Sequence, residues 1–388
     1  MQKPSSTGTS SSDRSSSSQG AGPYVRWFAD IDLAARAVVG GKAASLGALT
    51  RAGFPVPAGF AVTTAAFTAA LDGLERAGSL QQEIETLDIE DLEASAAITA
   101  RVRERVADCE LPPAVREAVL ASWRELCGSD PRIPVAIRSS ATGEDAADAS
   151  FAGLQATYLW VRGEQSLLTA LRACWASWYS LESVSYRRRR GMVERDQTMA
   201  VVVQHMVDPL CAGVMFTRSP VTGDRSVIAI EGSWGLGSCI VSGEVTPDLF
   251  VVNKVSGDII KRVVSVKSVQ HVPASDGVET REVNEIQQTV PCLTDALIAG
   301  LASVALAVEH HYGTPQDIEW AIALDATGTA QIHLLQSRPE TTWAQRDEQP
   351  VAVPKDKPFD HVLAALSGGI RPPGTPAGGT RGPTGDRT

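Results

Sequence analysis

Several short segments of this sequence combine residue types that bind phosphate groups, and the first is Gly40-Gly41-Lys42. It opens a predicted helix over residues 41–52, where free backbone N–H groups and the helix dipole favour an anion and the Lys42 ammonium adds a positive charge. It is not a Walker A loop, because Lys42 is followed by Ala43. Taken alone, the segment indicates either a phosphate contact or a solvated lysine after a turn.

A second segment, residues 135–143, is an apolar strand that continues into Arg138 and several hydroxyl side chains. A guanidinium beside serine and threonine hydroxyls offers a fork of donors for phosphate oxygens. Carboxylates follow at Glu144, Asp145 and Asp148, so a structural ion pair on a capped turn is an equally good interpretation of these residues.

The sharpest local pattern lies at residues 316–339. Apolar and polar residues alternate along Asp317–Leu324, which predicts a half-buried strand with Asp317 and Glu319 on the polar face. If Thr327-Gly328 forms a two-residue hairpin loop, Glu319 pairs with Gln336 and Asp317 pairs with Arg338. Carboxylate and carboxamide oxygens suit Mg²⁺, and the neighbouring arginine would face the phosphates. A plain cross-strand ion pair is the alternative.

A fourth segment, residues 231–248, is rich in glycine and is predicted as a loop between two strands that lets the backbone approach a ligand. It fails the dinucleotide-binding pattern, because that pattern requires glycine where Ile240 stands. A tight structural connection is an equally good interpretation.

The elements that must position these segments change in type along the chain. A helix-rich first half precedes a strand-rich second half, and the predicted division gives lobes at 23–198 and 199–348. The predicted helices are 41–52, 63–75, 91–107, 112–127, 165–190 and 293–311. The predicted strands are 135–139, 199–204, 213–216, 226–231, 249–253, 258–266, 317–324 and 331–336. The Ser-rich residues 1–22 and the Pro/Gly-rich residues 349–388 are predicted to be flexible tails. The basic run Arg187–Arg190 is predicted to be a solvated helix end, with docking to an acidic partner as the alternative.

Composition limits the class of protein. The chain has 388 residues, 43% of them hydrophobic, and a net charge of −10, which suits a folded protein and disfavours a nucleic-acid or anionic-membrane binder. Its six cysteines are scattered without a CxxC pair, so we expect buried, reduced thiols and a cytoplasmic location. No apolar run is long enough for a membrane span.

Taken together and in this order, five segments resemble the N-terminal ATP-binding module of phosphoenolpyruvate synthase, pyruvate phosphate dikinase and rifampicin phosphotransferase. The likeness spans about residues 25–342. The segments are GGKAASLGALTRAGFPVPAGFAVT (40–63), VAIRSSATGEDAADASFAGLQATYL (135–159), VVVQHMVDPLCAGVMFTRSPVTGD (201–224), EGSWGLGSCIVSGEVTPD (231–248) and QDIEWAI…LLQSRPET (316–341).

The resemblance implies an α+β, ATP-grasp fold with the nucleotide held between two lobes. It also implies Mg²⁺–ATP as the ligand and a role for each matching residue. It implies that Lys42 and Arg138 bind phosphates, that Gly153 and Thr157 lie on the mobile loop, and that Gln204, Met206 and Val207 meet the adenine edge. It implies that Asp317, Glu319 and Gln336 hold or orient magnesium and that Arg338 stabilises the transferring phosphoryl groups. The implied catalytic residues are Lys42, Arg138 and Arg338.

The family's chemistry moves the β,γ-diphosphate of ATP onto a histidine and releases AMP. In the family that histidine sits in a Thr-x-Gly-Gly-x-x-x-His-type motif, whereas the last histidine of this sequence is His361 in Phe-Asp-His-Val. The resemblance therefore leads us to expect that the histidine is on a partner subunit, as in phenylphosphate synthase-type enzymes. The final acceptor, a phenolic compound or pyruvate, would bind elsewhere.

Two other classes of function stay open at this point. The chain could be a regulatory subunit that senses ATP without transferring phosphate, or an inactive remnant. The motif set, with Lys42, Arg138, Glu319, Gln336 and Arg338 all present, favours the phosphotransferase over both.

Overall fold

Two antiparallel sheets with helices packed against them form the folded part of the chain, in a computed structural model that describes residues 22–77, 79–88, 90–143, 156–193, 197–275 and 277–343. The α+β class is confirmed. The helices are α1 (Arg36–Arg51), α2 (Thr64–Ala77), α3 (Leu80–Glu85), α4 (Leu92–Ala107), α5 (Pro113–Cys127), α6 (Glu164–Ser177), α7 (Leu181–Arg189), α8 (Ser238–Val241), α9 (Glu285–Gln288) and α10 (Asp295–Tyr312). The strands are β1 (Val25–Trp27), β2 (Gly59–Val62), β3 (Val135–Ala141), β4 (Thr157–Val161), β5 (Met199–His205), β6 (Cys211–Phe216), β7 (Val227–Trp234), β8 (Asp248–Asn253), β9 (Ile259–Val263), β10 (Val269–Pro273), β11 (Val278–Glu282), β12 (Gln316–Leu324) and β13 (Ala330–Pro339).

The first sheet has five strands in the order β1-β2-β5-β3-β4. Its core contains the fully buried rings of Phe60 and Trp175 and, from α5, the indole of Trp123. β5 follows residue 198 in the sequence, yet it lies at the centre of this sheet between β2 and β3. The predicted division at 198/199 would place β5 in the other lobe. Pairing joins it to the first sheet, because its residues 199–204 are all buried and need a covered position.

The second sheet has six strands in the order β13-β12-β6-β7-β8-β9. One stripe of α10, including Ile298 and Leu301, packs in a core with Trp320 of β12 and Phe250 of β8. Thr294 caps α10 by accepting a hydrogen bond from the Leu297 N–H, and Gly313 ends it in the left-handed conformation. A separate hairpin of β10 and β11 lies outside both sheets.

The stretch predicted as one helix over 165–190 is two helices, α6 and α7. Ser180 starts the second by accepting a hydrogen bond from the Ser183 N–H at 3.2 Å. The basic run that follows is not simply a solvated helix end, contrary to expectation. Arg187 is fully buried and its guanidinium lies 4.2 Å from the centroid of the Trp178 ring, while Arg188 donates to backbone carbonyls at the end of α3.

The two predicted cross-strand pairs of the β12–β13 hairpin are present, but its loop is not the predicted one. Asp317 pairs with Arg338 and Glu319 with Gln336, as expected. The loop, however, is longer than two residues, because Leu324 pairs with Ala330. The pairs next to the loop are therefore one residue away from the predicted register. A register shift after Glu319 restores it: Trp320 pairs with Leu334, and Leu335 is passed over. The predicted alternation holds from Asp317 to Trp320, but Ala321, on the face of Asp317 and Glu319, is buried, and Leu324 beside the loop is exposed.

Helix α1 breaks at Gly40, whose φ of 75° and ψ of 171° are not helical. A Cβ at this position would lie 2.0 Å from the carbonyl oxygen of Ser140 in β3. The kink therefore requires glycine, and the helix restarts at Gly41 so that Lys42 projects from its first turn.

We expect Gly40→Ala to lower the free energy of unfolding by more than about 1–3 kcal/mol, because the new methyl group forces both a φ/ψ region reserved for glycine and a backbone clash. Urea denaturation measures this. Gly73→Ala is the matched control: Gly73 lies in α2 with nothing within 4 Å of its added Cβ, so that change should be neutral or stabilise by up to about 1 kcal/mol.

All six cysteines are buried and unpaired, as predicted. Burial raises the pKa of Cys174 to about 12. Within the described ranges, every helix is too short or too polar to cross a bilayer. The tails predicted at 1–22 and 349–388 fall outside the described residues, apart from Gly22.

Candidate functional site

The two sheets meet at Arg138, the middle residue of β3 and one of the residues expected to bind phosphate. Its Nη2 donates to Glu319 Oε2 at 2.5 Å and to Gln336 Oε1 at 2.8 Å. Arg138 belongs to β3 of the first sheet, whereas both acceptors belong to the hairpin of the second. The segments 135–143 and 316–339, which are far apart in sequence, therefore form one polar cluster.

The bulge in the hairpin completes this contact. Leu335 is the residue that the ladder passes over, and its carbonyl oxygen accepts a hydrogen bond from Arg138 Nη1 at 2.7 Å. The guanidinium thus makes three hydrogen bonds across the sheets and is only 9% exposed. Such a fixed fork of donors is the geometry by which arginine recognises oxygen atoms.

Lys42 joins the cluster from the start of the second part of α1. Ser140 holds that helix start against β3, because its Oγ donates to the Val39 carbonyl at 2.8 Å and accepts from the Ala43 N–H at 3.1 Å. Lys42 itself is buried at 5% exposure, so the solvated-lysine alternative does not apply. Its positive charge acts on Glu319.

The electrostatics of the cluster favour an ionised Glu319. Burial raises the pKa of this carboxyl, but the positive charges of Arg138, Lys42 and Arg338, together with the hydrogen bond from Arg138, outweigh burial and leave the pKa below its ordinary value. Three cations from three elements therefore surround one carboxylate. Arg338 also pairs with Asp317, so the three cations exceed the two carboxylates by one, and a net positive charge suits a polyanionic ligand.

This depressed pKa predicts a pH dependence of stability. Because the pKa of Glu319 is lower in the folded than in the unfolded state, the stability it contributes is complete above its unfolded pKa of about 4.3 and is lost as pH falls through the folded value. The difference in unfolding free energy between wild type and Glu319→Gln should therefore be largest at neutral pH and shrink below about pH 4. Urea titrations at a series of pH values measure it, and a difference that does not change with pH would contradict this assignment.

The neighbouring pair of the hairpin is Asp317 and Arg338. Arg338 Nε donates to Asp317 Oδ2 at 3.4 Å, and both side chains are partly exposed. Two positions further along β12, Glu319 lies on the same face. The structure thus places both predicted acids on one face of β12, each hydrogen-bonded to a predicted arginine.

Beside this cluster lies a cavity of about 380 Å³, which is in the range of small-molecule sites. Residues of both sheets line it, so the cavity is a cleft between them. The predicted site residues in its wall are Arg138, Thr157, Gln204, Met206, Val207 and Glu319. Lys42, Asp317, Gln336 and Arg338 do not line it and belong to the adjoining cluster, and Gly153 lies outside the described residues.

The wall also contains residues that sequence analysis did not single out. β7 extends through Trp234, so part of the predicted glycine-rich loop is strand, and the remainder leads into α8. Ser238 and Ile240 of α8 face the cleft together with Leu159 and Leu335. The glycine-rich pattern of residues 231–248 was the available sequence signal for Ser238 and Ile240. No pattern marks the two leucines, which are ordinary strand residues.

The oxygens of Glu319 and Gln336 converge on one point, since both accept from the same nitrogen of Arg138. Nη2 of Arg138 occupies that point, and carboxylate and carboxamide oxygens held side by side are hard donors of the kind that Mg²⁺ prefers. Within the described part of the chain, no three His, Cys, Asp or Glu side chains cluster as a metal site of their own. This donor set therefore suits a metal that takes its remaining ligands from a bound phosphate and water.

Comparison with known proteins matches most of the chain to one family. Residues 36–358 match the family described as pyruvate phosphate dikinase, AMP/ATP-binding domain. The chain is 38% identical over 329 residues to a probable phosphoenolpyruvate synthase of Methanothermobacter thermautotrophicus, covering 84% of this chain and 47% of that protein. It is 41% identical over 315 residues to a rifampicin phosphotransferase of a Streptomyces species, covering 81% of this chain and 35% of that protein.

The chain belongs to the pyruvate phosphate dikinase AMP/ATP-binding domain family. It spans less than half the length of the curated relatives it matches: a phosphoenolpyruvate synthase of Aeropyrum pernix, 36% identical over 366 residues, is covered over 44% of its length. The expected resemblance to this module is thereby confirmed.

Proposed function

We propose that the cleft between the two sheets binds Mg²⁺–ATP in the manner of an ATP-grasp enzyme. The observation that carries the proposal is the contact of Arg138 with Glu319 and Gln336, which joins a phosphate-type cation of one sheet to metal-type oxygens of the other. The adjoining cavity of about 380 Å³ accommodates the adenine and sugar.

Each side chain has a distinct task in this proposal. Lys42 and Arg138 bind the phosphates, and Arg338 stabilises charge that develops on the transferring groups. Gln204, Met206 and Val207 meet the adenine edge. Thr157, which is the first residue of β4 and not part of a loop as expected, contacts the phosphates together with Gly153. Glu319, Gln336 and Asp317 hold or orient the metal. When bound, the metal neutralises phosphate charge. Positioning and charge neutralisation supply most of the catalysis.

The chain is then the nucleotide-binding subunit of a two-component phosphotransferase. A histidine nitrogen of a partner subunit attacks the β-phosphorus of ATP, the bond from that phosphorus to the oxygen shared with the α-phosphate breaks, and AMP leaves. The names of the relatives support this class of chemistry, since they are phosphoenolpyruvate synthases and rifampicin phosphotransferases. A phenolic compound or pyruvate is the final acceptor in this proposal, and the cytoplasm is its site.

Incubation with β-³²P-ATP, Mg²⁺ and the protein of a neighbouring reading frame that carries the histidine motif tests this function. The expected result is acid-labile label on that protein's histidine, with one AMP released for each label. Nucleotide binding without label on histidine would contradict the transfer and favour an ATP-sensing regulatory subunit instead. Replacement of the motif histidine by alanine is the control and should abolish labelling.

A further inference from the structure

A second cavity, of about 540 Å³, lies beside the proposed nucleotide cleft. Its wall combines residues of β4 and α6 with residues of α8 and the β10–β11 hairpin. It shares Thr157, Leu159 and Ser238 with the nucleotide cleft, so the two cavities are neighbours on either side of these residues. The function proposed above makes no use of this second space.

Three side chains in the wall of the second cavity form a continuous hydrogen-bonded chain. Ser238 Oγ lies 2.7 Å from His271 Nδ1, and His271 Nε2 lies 3.2 Å from Glu244 Oε2. These residues come from α8, from β10 and from the turn after α8. A hydroxyl bonded to an imidazole that is itself oriented by a carboxylate is the arrangement of an activated nucleophile.

The charges fix the direction of the hydrogen bonds that join Ser238, His271 and Glu244. The hydrogen bond from Ser242, and then the one from His271, lower the pKa of Glu244, so this residue is a carboxylate that only accepts. His271 therefore donates through Nε2–H, which leaves the lone pair of Nδ1 in the neutral imidazole to accept the Ser238 hydroxyl. Ser238 thus faces the lone pair of the imidazole, and the carboxylate of Glu244 lies on the other side of the ring.

The backbone holds this chain in place. Leu236 N–H donates to the carbonyl of His271 at 2.9 Å. Gly235, at φ 70°, lies so close to the same carbonyl that a Cβ would stand 2.4 Å from its oxygen. His271 is therefore anchored directly beside the segment that carries Ser238, and its side chain is only 13% exposed. Nucleophile and base are positioned before any ligand binds.

We propose that Ser238 is a nucleophile activated by His271 and Glu244, and that the second cavity takes small aryl or short-chain acyl esters. The aromatic and aliphatic side chains of Tyr158, Trp160, Val161 and Val278 in the wall suit the apolar part of such a molecule. In the first step a bond forms between Ser238 Oγ and the acyl carbon, the serine proton passes to His271 Nδ1 and then to the departing alcohol, and the ester C–O bond breaks. In the second step water attacks the acyl carbon, gives its proton to Nδ1, and the acid leaves as the proton returns to Ser238.

Labelling with a fluorophosphonate probe tests the nucleophile directly. The serine oxygen bonds to phosphorus as fluoride leaves, and peptide mass spectrometry locates the adduct. We expect the folded wild-type chain to be labelled at Ser238, and Ser238→Ala and His271→Asn to lose labelling by about 100-fold or more. Ser166→Ala is the matched control, because Ser166 lines the same cavity without belonging to the chain of hydrogen bonds, and it should label like wild type.

Hydrolysis of p-nitrophenyl acetate supplies a second readout. Glu244 acts through His271 as a positioning residue, so Glu244→Gln should slow acylation of Ser238 while Glu244→Asp restores part of the rate. Circular dichroism and urea denaturation show which variants are folded. The proposal is overturned if folded wild type labels no faster than Ser238→Ala, if the adduct lies on another serine, or if Glu244→Gln and Glu244→Asp leave the acylation rate unchanged.

Discussion

Arg138→Ala should lower the rate of phosphoryl transfer from ATP by at least about 10³-fold, the largest effect that we expect from any single change in the cleft. The guanidinium makes three hydrogen bonds across the two sheets, and its loss removes both a phosphate donor and the group that fixes Glu319 and Gln336. The measurement is the single-turnover rate of label transfer from β-³²P-ATP to the partner histidine.

Two companion variants separate catalysis from folding. Arg132→Ala changes an arginine just before the same strand. The Arg132 side chain is 85% exposed and pairs with the neighbouring Asp130, so the rate of phosphoryl transfer should stay within about twofold of wild type. Glu319→Gln keeps the shape of the side chain and removes its charge, and we expect it to lose activity as Arg138→Ala does. Full activity of Arg138→Ala in a folded state would show that Arg138 is a structural link only.

Lys267→Met should destabilise the fold by about 3–5 kcal/mol, the largest stability effect that we expect. Lys267 and Asp248 are fully buried, with Nζ 2.6 Å from Oδ1. Asp248 also accepts from the backbone N–H groups of Ser265 and Cys292. Removing the lysine leaves a buried carboxylate without its counter-ion, and urea denaturation measures the cost.

The double variant Asp248→Leu/Lys267→Met should lose less than the sum of the two single losses, because the second change removes the orphaned charge. Lys261→Met, on the exposed strand β9, is the control and should change stability by less than about 0.5 kcal/mol. A loss for Lys267→Met as small as that of the control would mean that water reaches the pair in solution.

Much of the site could be predicted from sequence because its parts lie on regular elements. Alternation along β12 placed Asp317 and Glu319 on one face, and pairing in a hairpin then fixed Gln336 and Arg338 opposite them. These are local consequences of strand geometry. The placement of Lys42 at a helix start followed in the same way from glycines before an apolar helical pattern.

Local patterns encode no contacts between segments distant in sequence. Only the family resemblance indicated that Lys42 and Arg138 would lie near Glu319 and Gln336, and the other distant contacts were not predicted. The bulge at Leu335 restores the predicted pairs although the loop is longer than predicted. The Leu335 carbonyl accepts a hydrogen bond from Arg138, which is almost two hundred residues away in the chain. The sequence predicts Arg187 as part of a solvated helix end, whereas tertiary packing places it against Trp178. Likewise, nothing in the sequence links Ser238 to His271, because backbone contacts of Gly235 and Leu236 bring them together.

A crystal structure with Mg²⁺ and a non-hydrolysable ATP analogue tests the central claim most directly. We predict a single triphosphate that contacts Lys42 of α1 and Arg138 of the first sheet and, through the metal, Glu319 and Gln336 of the second sheet, with the adenine beside Met206. A nucleotide that touches residues of only one sheet, or that occupies the second cavity instead, would contradict the account.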